Sequence, residues 1–245
     1  MSAQQIAEIL EASKRFRDAT AQLTFSSRVP YIYNPLDYAW EPYKRYLEKY
    51  AALPKRTVFF GMNPGPWGMA QTGVPFGEID AVREWLGIEA PVGRPGTEHP
   101  KRPVTGFDCS RREVSGKRVW ALMKERFGTP ERFFNEHFIA NYCPLLFFDE
   151  GGKNITPDKL VKEDREELYR LCDDHAAELA AILSPRFVIG FGKFAGSRLD
   201  AAVASDTDIN VFSILHPSPA NPRANKGWVE EVASQLEAAG VWPPT

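Results

Sequence analysis

The feature that most constrains the fold is a short apolar run that leads directly into a loop rich in glycine and proline. The run is Thr57–Phe60, and the loop after it, Gly61–Glu78, reads GMNPGPWGMAQTGVPFGE, with five glycines and three prolines. Glycine adopts backbone angles that other residues resist, and proline fixes its own φ angle. The pattern predicts a buried strand followed by a loop of defined shape. Two interpretations stay open for this loop: a tight connection without chemistry, or a ligand-binding turn.

Further apolar segments follow, and helical patterns separate them. The predicted strands are Arg56–Gly61, Phe138–Ala140 (running on through Asn141–Phe148), Phe187–Gly190 and Ile209–Leu215. The predicted helices are 3–24, 42–52, Ile79–Leu86, Gly116–Phe127, a long helix starting at Thr156-Pro157-Asp158 and ending at Ser184, and Trp228–Ala239. The aromatic residues between Tyr31 and Tyr50 are interpreted as a packed flank of the core. Strands that alternate with helices in this way are typical of an α/β fold with a parallel sheet covered on both faces.

Unusual polar residues stand at the ends of these strands. Asn63 follows the first strand, Asn141 the second and His216 the fourth. In parallel sheets the carboxyl ends of the strands meet at one edge, where ligands bind. An asparagine amide carries the donors and acceptor needed to read the edge of a base. Each residue also has a structural interpretation, as a buried loop anchor or a packed histidine, but their convergence at one edge favours a site.

The charge distribution favours a polyanionic partner more than the net charge of −2 does. Residues 90–118 carry seven basic and three acidic side chains, a local net charge of +4. A near-neutral protein can bind nucleic acid through such a basic region, although a mobile surface insertion is equally consistent with the pattern. The acidic excess between Asp149 and Ser184 is interpreted as a solvated helix face.

Cysteine spacing and hydropathy exclude several classes of protein. Three widely spaced cysteines, with no CxxC pair, argue against a disulfide framework, a zinc site or an iron–sulfur cluster. No apolar run approaches the roughly 20 residues of a membrane span, and the N-terminus reads as an amphipathic helix rather than a signal peptide. A cytosolic setting is therefore expected.

A nucleotide-dependent enzyme is the weakest of the enzymatic interpretations. Gly190–Ala195 fits the dinucleotide pattern GxGxxA, but the next strand ends in Leu215-His216 and lacks the acid that would hold a ribose. The segment after it, HPSPANPRANKGW, is rigid, basic and free of acids up to Glu230. This combination indicates a charge-stabilising histidine beside an element that contacts phosphates.

With these residues in view, the chain resembles the single-strand-selective monofunctional uracil-DNA glycosylases of the uracil-DNA glycosylase superfamily. The resemblance is carried by GMNPGPWGMAQTGVPFGE, NYCPLLFF and HPSPANPRANKGW, with YNPLDYAWEP before them, and it runs in order from Tyr31 to Trp228. It implies one domain over residues 1–245 with a helical flank at residues 1–30. It also implies a three-layer α/β/α fold with a short, mainly parallel central sheet.

The resemblance also implies roles for individual residues. Asn63 is expected to hold the attacking water and His216 to hydrogen-bond the leaving base. The substrate-binding set is expected to be Met62 and Gly65 through their backbone, Phe76 by stacking and Asn141 by reading the uracil edge. The segment His216–Lys226 is expected to be the wedge that replaces the flipped nucleotide, with DNA-binding residues Pro217, Ser218, Pro219, Arg223, Asn225 and Lys226.

Two positions depart from the family pattern. Ala220 follows HPSP where a member of the family has arginine, and Arg223 is the expected substitute. Trp67 stands where phenylalanine is common, at the expected pocket entrance.

The activity implied is removal of uracil and related bases, such as hydroxymethyluracil or deaminated purines, from single- and double-stranded DNA. No cofactor or metal is expected, and the product is an abasic site because no lysine lies in the pocket motifs to form a Schiff base. A monomer without membrane contact is expected, in the bacterial cytosol or nucleoid, or in the nucleus of a eukaryote. The alternative is a non-catalytic module that binds single-stranded or damaged DNA.

Overall fold

The computed structural model describes residues 2–52, 54–204 and 206–244. Its helices are α1 Ser2–Ala21, α2 Pro35–Tyr38, α3 Trp40–Tyr50, α4 Met69–Thr72, α5 Val114–Phe127, α6 Pro130–Phe134, α7 Lys162–Leu183, α8 Lys193–Ala202 and α9 Trp228–Ala238. Its strands are β1 Tyr31–Tyr33, β2 Thr57–Gly61, β3 His137–Asn141, β4 Leu146–Phe148, β5 Asn154–Ile155, β6 Phe187–Phe191 and β7 Asn210–Ile214. A π-helical turn, Ala81–Trp85, and two 3₁₀ turns, Gly106–Asp108 and Pro157–Lys159, complete the described elements.

The central sheet contains four parallel strands in the order β3-β2-β6-β7. Every residue of β2 and β6 is buried, so helices cover both faces of the sheet. On one side α8 packs on β6 and β7, with α7 and α1 outside it, while α9 contacts β7 and α5. The predicted α/β class with a mainly parallel sheet is confirmed.

The register of the central sheet brings the ends of the strands together. Gly61 pairs with Asn141 across β2 and β3, and Phe60 pairs with Gly190 across β2 and β6. Phe191 pairs with Ile214, so the chain leaving β7 reaches the same edge. The loops that follow β2, β3 and β7 therefore surround one point, as predicted.

A second sheet corrects two predictions. β1, β4 and β5 form an antiparallel sheet in the order β1-β4-β5, in which Tyr31 lies opposite Phe148. The prediction that β3 runs on through Asn141–Phe148 is wrong, because Tyr142–Leu145 separate β3 from β4. The segment around Tyr31, interpreted as a packed flank, is itself a strand. Strands of three residues carry too little periodicity to be distinguished from loops in a sequence.

The start of the long helix is also corrected. The sequence pattern predicts the helix from Thr156, but Pro157–Lys159 form one 3₁₀ turn, and α7 begins at Lys162. Leu160 and Val161 between them are extended, with ψ angles of 149° and 159°. Thr156-Pro157-Asp158 resembles a helix start because threonine and proline favour the N-cap and N1 positions, yet here it opens only a single turn.

Two further observations limit what the chain can be. Cys109, Cys143 and Cys172 are all free and buried. None of the helices in the described part of the chain has the length and apolarity needed to cross a membrane.

Candidate active site

A cavity of about 400 Å³ opens where the strand ends meet. Its described lining residues are Met62, Asn63, Pro64, Gly65, Pro66, Phe76, Glu113, Ser115, Asn141, Asn154, Thr156, His216 and Ser218. All six residues predicted for catalysis and base binding lie in this lining. A flipped base fits a cavity of this kind, because it is concave and mixes an aromatic face with a few polar groups.

Asn63 lies at the tip of β2 with its amide fixed in one direction. Its Nδ2 donates a hydrogen bond to the carbonyl oxygen of Leu145 at 3.2 Å. The backbone beside it is also fixed, because the Cys143 amide donates to the Met62 carbonyl at 2.9 Å. With the amide nitrogen engaged, Oδ1 is the group that can accept a hydrogen bond from water. Asn63 is neutral, so it can orient that water but is a poor base.

Asn141 and Phe76 converge on the bare backbone of Gly61. A methyl group built on Gly61 would lie 2.2 Å from Asn141 Oδ1 and 2.9 Å from Phe76 Cε2, both closer than real contacts allow. Asn141 Nδ2 donates to the sulfur of Met69 at 3.0 Å, which sets the plane of the amide. The absence of a side chain at Gly61 is therefore what lets the Asn141 amide and the Phe76 ring approach each other.

Phe76 is held in a backbone conformation that few residues other than glycine adopt. Its φ angle is 52°, in the left-handed region, which costs free energy for a bulky residue. The Trp120 Nε1–H donates to the Phe76 carbonyl oxygen at 2.9 Å, and the α5 backbone at Gly116 leaves no room for a Cβ beside the same carbonyl. The ring packs edge-on against Phe191 at 4.9 Å between centroids. Helix α5 therefore fixes the backbone of Phe76, and Phe191 supports its ring.

His216 carries its proton on the nitrogen that can face a leaving base. The Ser218 backbone N–H donates to His216 Nδ1 at 3.0 Å, so Nδ1 is the acceptor and a neutral ring holds its proton on Nε2. Burial lowers the pKa of His216 to about 4, which keeps the ring neutral at physiological pH. Gly192, with φ of 88°, lies behind the ring, where a Cβ would come within 3.2 Å of His216 Cβ.

The predicted wedge forms a braced loop after His216. Arg118 of α5 donates to the Pro217 carbonyl and to Asn225 Oδ1, both at 2.8 Å. Asn225 Nδ2 in turn donates to the Pro219 carbonyl at 2.9 Å. Pro217 is buried, whereas Pro219 and Lys226 are exposed.

Arg223, the expected substitute for an arginine after HPSP, is engaged with α9. It is exposed and forms an ion pair with Glu231 at the start of α9. Ala220, which follows Pro219, is also exposed and carries only a methyl group.

The basic segment lies beside the pocket and forms a second cavity of about 630 Å³. Trp67 lines this groove rather than the pocket itself. The guanidinium groups of Arg111 and Arg102 lie 4.6 Å and 5.3 Å from the Trp67 ring centroid. Lys101 adds a third cation to the lining, and Asp108 is the acid among the described lining residues.

Sequence reasoning missed several residues that belong to the site. Glu113, Ser115, Asn154 and Thr156 line the pocket, and Arg118 braces the wedge. Three of them, Glu113, Ser115 and Arg118, fall in the basic segment 90–118 that the charge count singled out, but nothing in the sequence distinguishes them from their neighbours. No cluster of histidine, cysteine and carboxylate side chains suited to a metal occurs within residues 2–52, 54–204 and 206–244.

Comparison with known proteins identifies close relatives. A scan against profiles of known protein families matches none of them. The single-strand selective monofunctional uracil DNA glycosylase of Bos taurus is 46% identical over 235 residues, which cover 96% of this chain and 86% of the relative. The Mus musculus protein of the same name is also 46% identical, with 96% and 84% covered. The Rattus norvegicus protein is 46% identical over 243 residues, with 98% and 87% covered.

A solved structure supports the fold. The crystal structure of wild-type SMUG2 from Pedobacter heparinus superimposes with a TM-score of 0.65 and 17% sequence identity, covering 93% of this chain and 99% of that one. At that identity the likeness concerns the fold alone. The sequence relatives carry the assignment, and they confirm the resemblance drawn from the GMNPGP and HPSP motifs. The chain belongs to the family of single-strand-selective monofunctional uracil-DNA glycosylases.

Proposed function

We propose that this chain excises uracil from DNA by hydrolysing the N-glycosidic bond, as an enzyme of base excision repair. The observation that carries the proposal is the convergence of Asn63, Phe76, Asn141 and His216 on one cavity at the carboxyl edge of the sheet. Breaking this bond leaves positive charge on the sugar and negative charge on the departing uracil. The site must therefore stabilise an anion, bind a planar base and supply water.

His216 is the group proposed to stabilise the leaving uracil. Its Nε2–H is free to donate because Nδ1 is already engaged by the Ser218 amide. A preorganised donor of this kind is typically worth about 10²–10³ in rate, about 3–4 kcal/mol. The donor is neutral at physiological pH, because burial lowers the pKa of the ring to about 4. Stabilisation therefore comes from a fixed hydrogen bond and not from an imidazolium charge.

Asn63 is proposed to orient the attacking water through Oδ1. A neutral amide deprotonates water poorly, so the mechanism that suits it is one in which the glycosidic bond is largely broken before water attacks. The Leu145 carbonyl, 3.2 Å from Nδ2, holds the amide for this task. Positioning of this kind removes part of the entropic barrier to attack.

Base recognition is proposed to rest on Phe76 and Asn141. The Phe76 ring would stack on the uracil and the Asn141 amide would bond its edge, while backbone at Met62 and Gly65 shapes the wall. Extruding a base costs a few kcal/mol, and stacking, hydrogen bonds and a filled gap in the duplex offset this cost. The loop proposed to fill the gap contains Pro217, Ser218, Pro219, Arg223, Asn225 and Lys226.

The DNA strand is proposed to continue from the pocket over the groove of Trp67, Arg102 and Arg111. Cations stacked on a half-buried aromatic ring suit a phosphate backbone and an unstacked base. Both single- and double-stranded DNA are proposed as substrates, with hydroxymethyluracil and deaminated purines as further bases. The reaction needs no cofactor, and the product is an abasic site in uncut DNA, since no lysine occurs among the described pocket residues.

We further propose that the chain works as a monomer and as one domain over residues 1–245. The cytosol or nucleoid of a bacterium, or the nucleus of a eukaryote, is the compartment in which its substrate lies.

Incubation of the purified protein with a uracil-containing oligonucleotide tests the proposal. Alkali-labile sites should form at the uracil, in DNA that stays intact before alkali treatment. Intact DNA after alkali, at high enzyme excess and with demonstrated binding, would support the alternative of a non-catalytic DNA-binding module and overturn the proposal.

A further inference from the structure

A carboxyl group that the proposed reaction does not use lies in the wall of the pocket. Glu113 precedes α5, and its side chain, instead of capping that helix, reaches into the pocket lining. Its Oε2 is sealed from solvent and has no hydrogen-bond partner among the described residues. An unsatisfied polar atom of this kind costs free energy, so its presence in a site calls for a functional explanation.

The loop after Asn63 is shaped to receive this carboxyl. A Cβ on Gly65 would lie 2.3 Å from Glu113 Oε2, and a Cβ on Gly68 would lie 1.8 Å from the same atom. Any side chain at either position would displace the carboxyl. Pro64 and Pro66, which flank Gly65, lack the N–H groups that a carboxylate would otherwise attract. The Gly65–Gly68 turn therefore leaves a close-fitting space for the carboxyl, and that space has few hydrogen-bond donors.

The surrounding charges oppose ionisation of Glu113. Burial and the neighbouring carboxylate of Glu78 raise the pKa of Glu113 to about 7. The nearby cation, Arg112, is already paired with Glu78 at 3.2 Å and with Asp80 at 3.0 Å. Lys117, one turn along α5, is exposed. His216 is the other titratable group in the described lining, and it is neutral above about pH 4.

We propose that Glu113 is a positioning residue for uracil excision. Its uncharged carboxyl packs against the Gly65–Gly68 turn, holds that turn in place and keeps negative charge out of the pocket. The inference rests on the proposed function. Ionisation of Glu113 would place a carboxylate in the same cavity as the departing uracil anion, and like charges in a desolvated site repel strongly. Ionisation would also drive the carboxyl out of a space with few hydrogen-bond donors and would move the loop that carries Asn63. Excision therefore slows as the pH rises through about 7.

The test is the single-turnover rate of uracil excision at saturating enzyme, measured between pH 6.5 and 8.5. With a pKa of about 7 and an inactive ionised form, the wild-type rate falls by about 25-fold over this range. Glu113→Gln cannot ionise, and its rate should vary by less than threefold over the same range. Glu125→Gln, an exposed change on α5, is the matched control and should keep the wild-type profile.

Other outcomes of this experiment would overturn the proposal, and a second variant tests it if the first does not fold. A wild-type rate that is flat from pH 6.5 to 8.5 would overturn it without any variant. An unchanged alkaline decline in Glu113→Gln would do the same. If that variant does not fold, Gly68→Ala serves instead: its Cβ displaces the carboxyl toward solvent, so the rate should be low and independent of pH over the range. Absence of wild-type excision at every pH would instead refute the proposed function.

Discussion

Replacing Gly61 by alanine should remove most uracil excision without unfolding the protein. The new methyl group would lie 2.2 Å from Asn141 Oδ1 and 2.9 Å from Phe76 Cε2. The Asn141 carboxamide is the far end of a side chain and can rotate away, so the backbone of β2 can stay in place. The change removes the pair of contacts proposed for the base. Stacking on an aromatic ring contributes about 1–3 kcal/mol, and a paired set of edge hydrogen bonds contributes a similar amount.

Together these losses come to about 2–6 kcal/mol, so kcat/KM should fall by about 30-fold to 10⁴-fold. The assay is steady-state excision from a uracil oligonucleotide, with the melting temperature measured in parallel. Gly96→Ala is the matched control, because a Cβ there meets no described atom within 4 Å, and it should behave as wild type. Wild-type kcat/KM for Gly61→Ala would refute the argument that Asn141 and Phe76 converge on this backbone to hold the base.

The site and the core give three more predictions. Asn63→Ala should lower single-turnover excision by at least 100-fold yet keep DNA affinity within threefold, because it removes the water and not the base contacts; equal losses in rate and affinity would contradict this. Arg118→Met should lower kcat/KM at least tenfold on double-stranded DNA and less on single strands, because two charged hydrogen bonds to the wedge are lost and only a duplex has a gap to fill. Exposed Lys124→Met is the control, and equal losses on both substrates would contradict the proposed role of the wedge. Burial lowers the pKa of His175 to about 3. Between pH 6.5 and 4.5 His175 is therefore protonated in the unfolded chain but stays neutral in the folded chain, so the free energy of unfolding falls as the pH falls, by about 2–3 kcal/mol from this residue. Urea unfolding of His175→Phe at both pH values should show a loss smaller by that amount, and an identical loss would count against the burial argument.

The position of the candidate site residues could be predicted because it depends on local rules. Asn63, Asn141 and His216 each come after an apolar strand, and a parallel sheet gathers the residues at its strand ends along one edge. The observed register, with Gly61 opposite Asn141, is the geometric form of that rule. The motifs then suggested the proposed roles, which position alone could not distinguish from structural ones.

The residues that were missed depend on packing between distant segments. Glu113 enters the site because Gly65 and Gly68 leave room for its carboxyl, and Arg118 because α5 passes beneath the wedge. Neither relation has a local sequence signal. The second sheet was missed for a different reason: strands as short as Asn154–Ile155 are defined by their partners and not by their own periodicity.

The meaning of Gly61 also emerges only from the structure. In the sequence it is one of five glycines in a loop, whereas in the fold the side chains of Asn141 and Phe76 both pack against its backbone. Glycine-rich loops often indicate flexibility, but here four of these glycines, Gly61, Gly65, Gly68 and Gly77, admit another side chain at close range. The loop is shaped by the side chains it accommodates.

Excision is proposed to depend above all on stabilising the departing uracil through neutral His216. A direct measurement compares single-turnover rates of wild type and His216→Leu on DNA containing uracil and on DNA containing 5-fluorouracil, whose fluorine makes the base a better leaving group. The variant should lose about 10²–10³-fold on uracil and clearly less on 5-fluorouracil, because a stable anion needs the donor less. The same loss on both bases, or no loss on uracil, would contradict this role of His216.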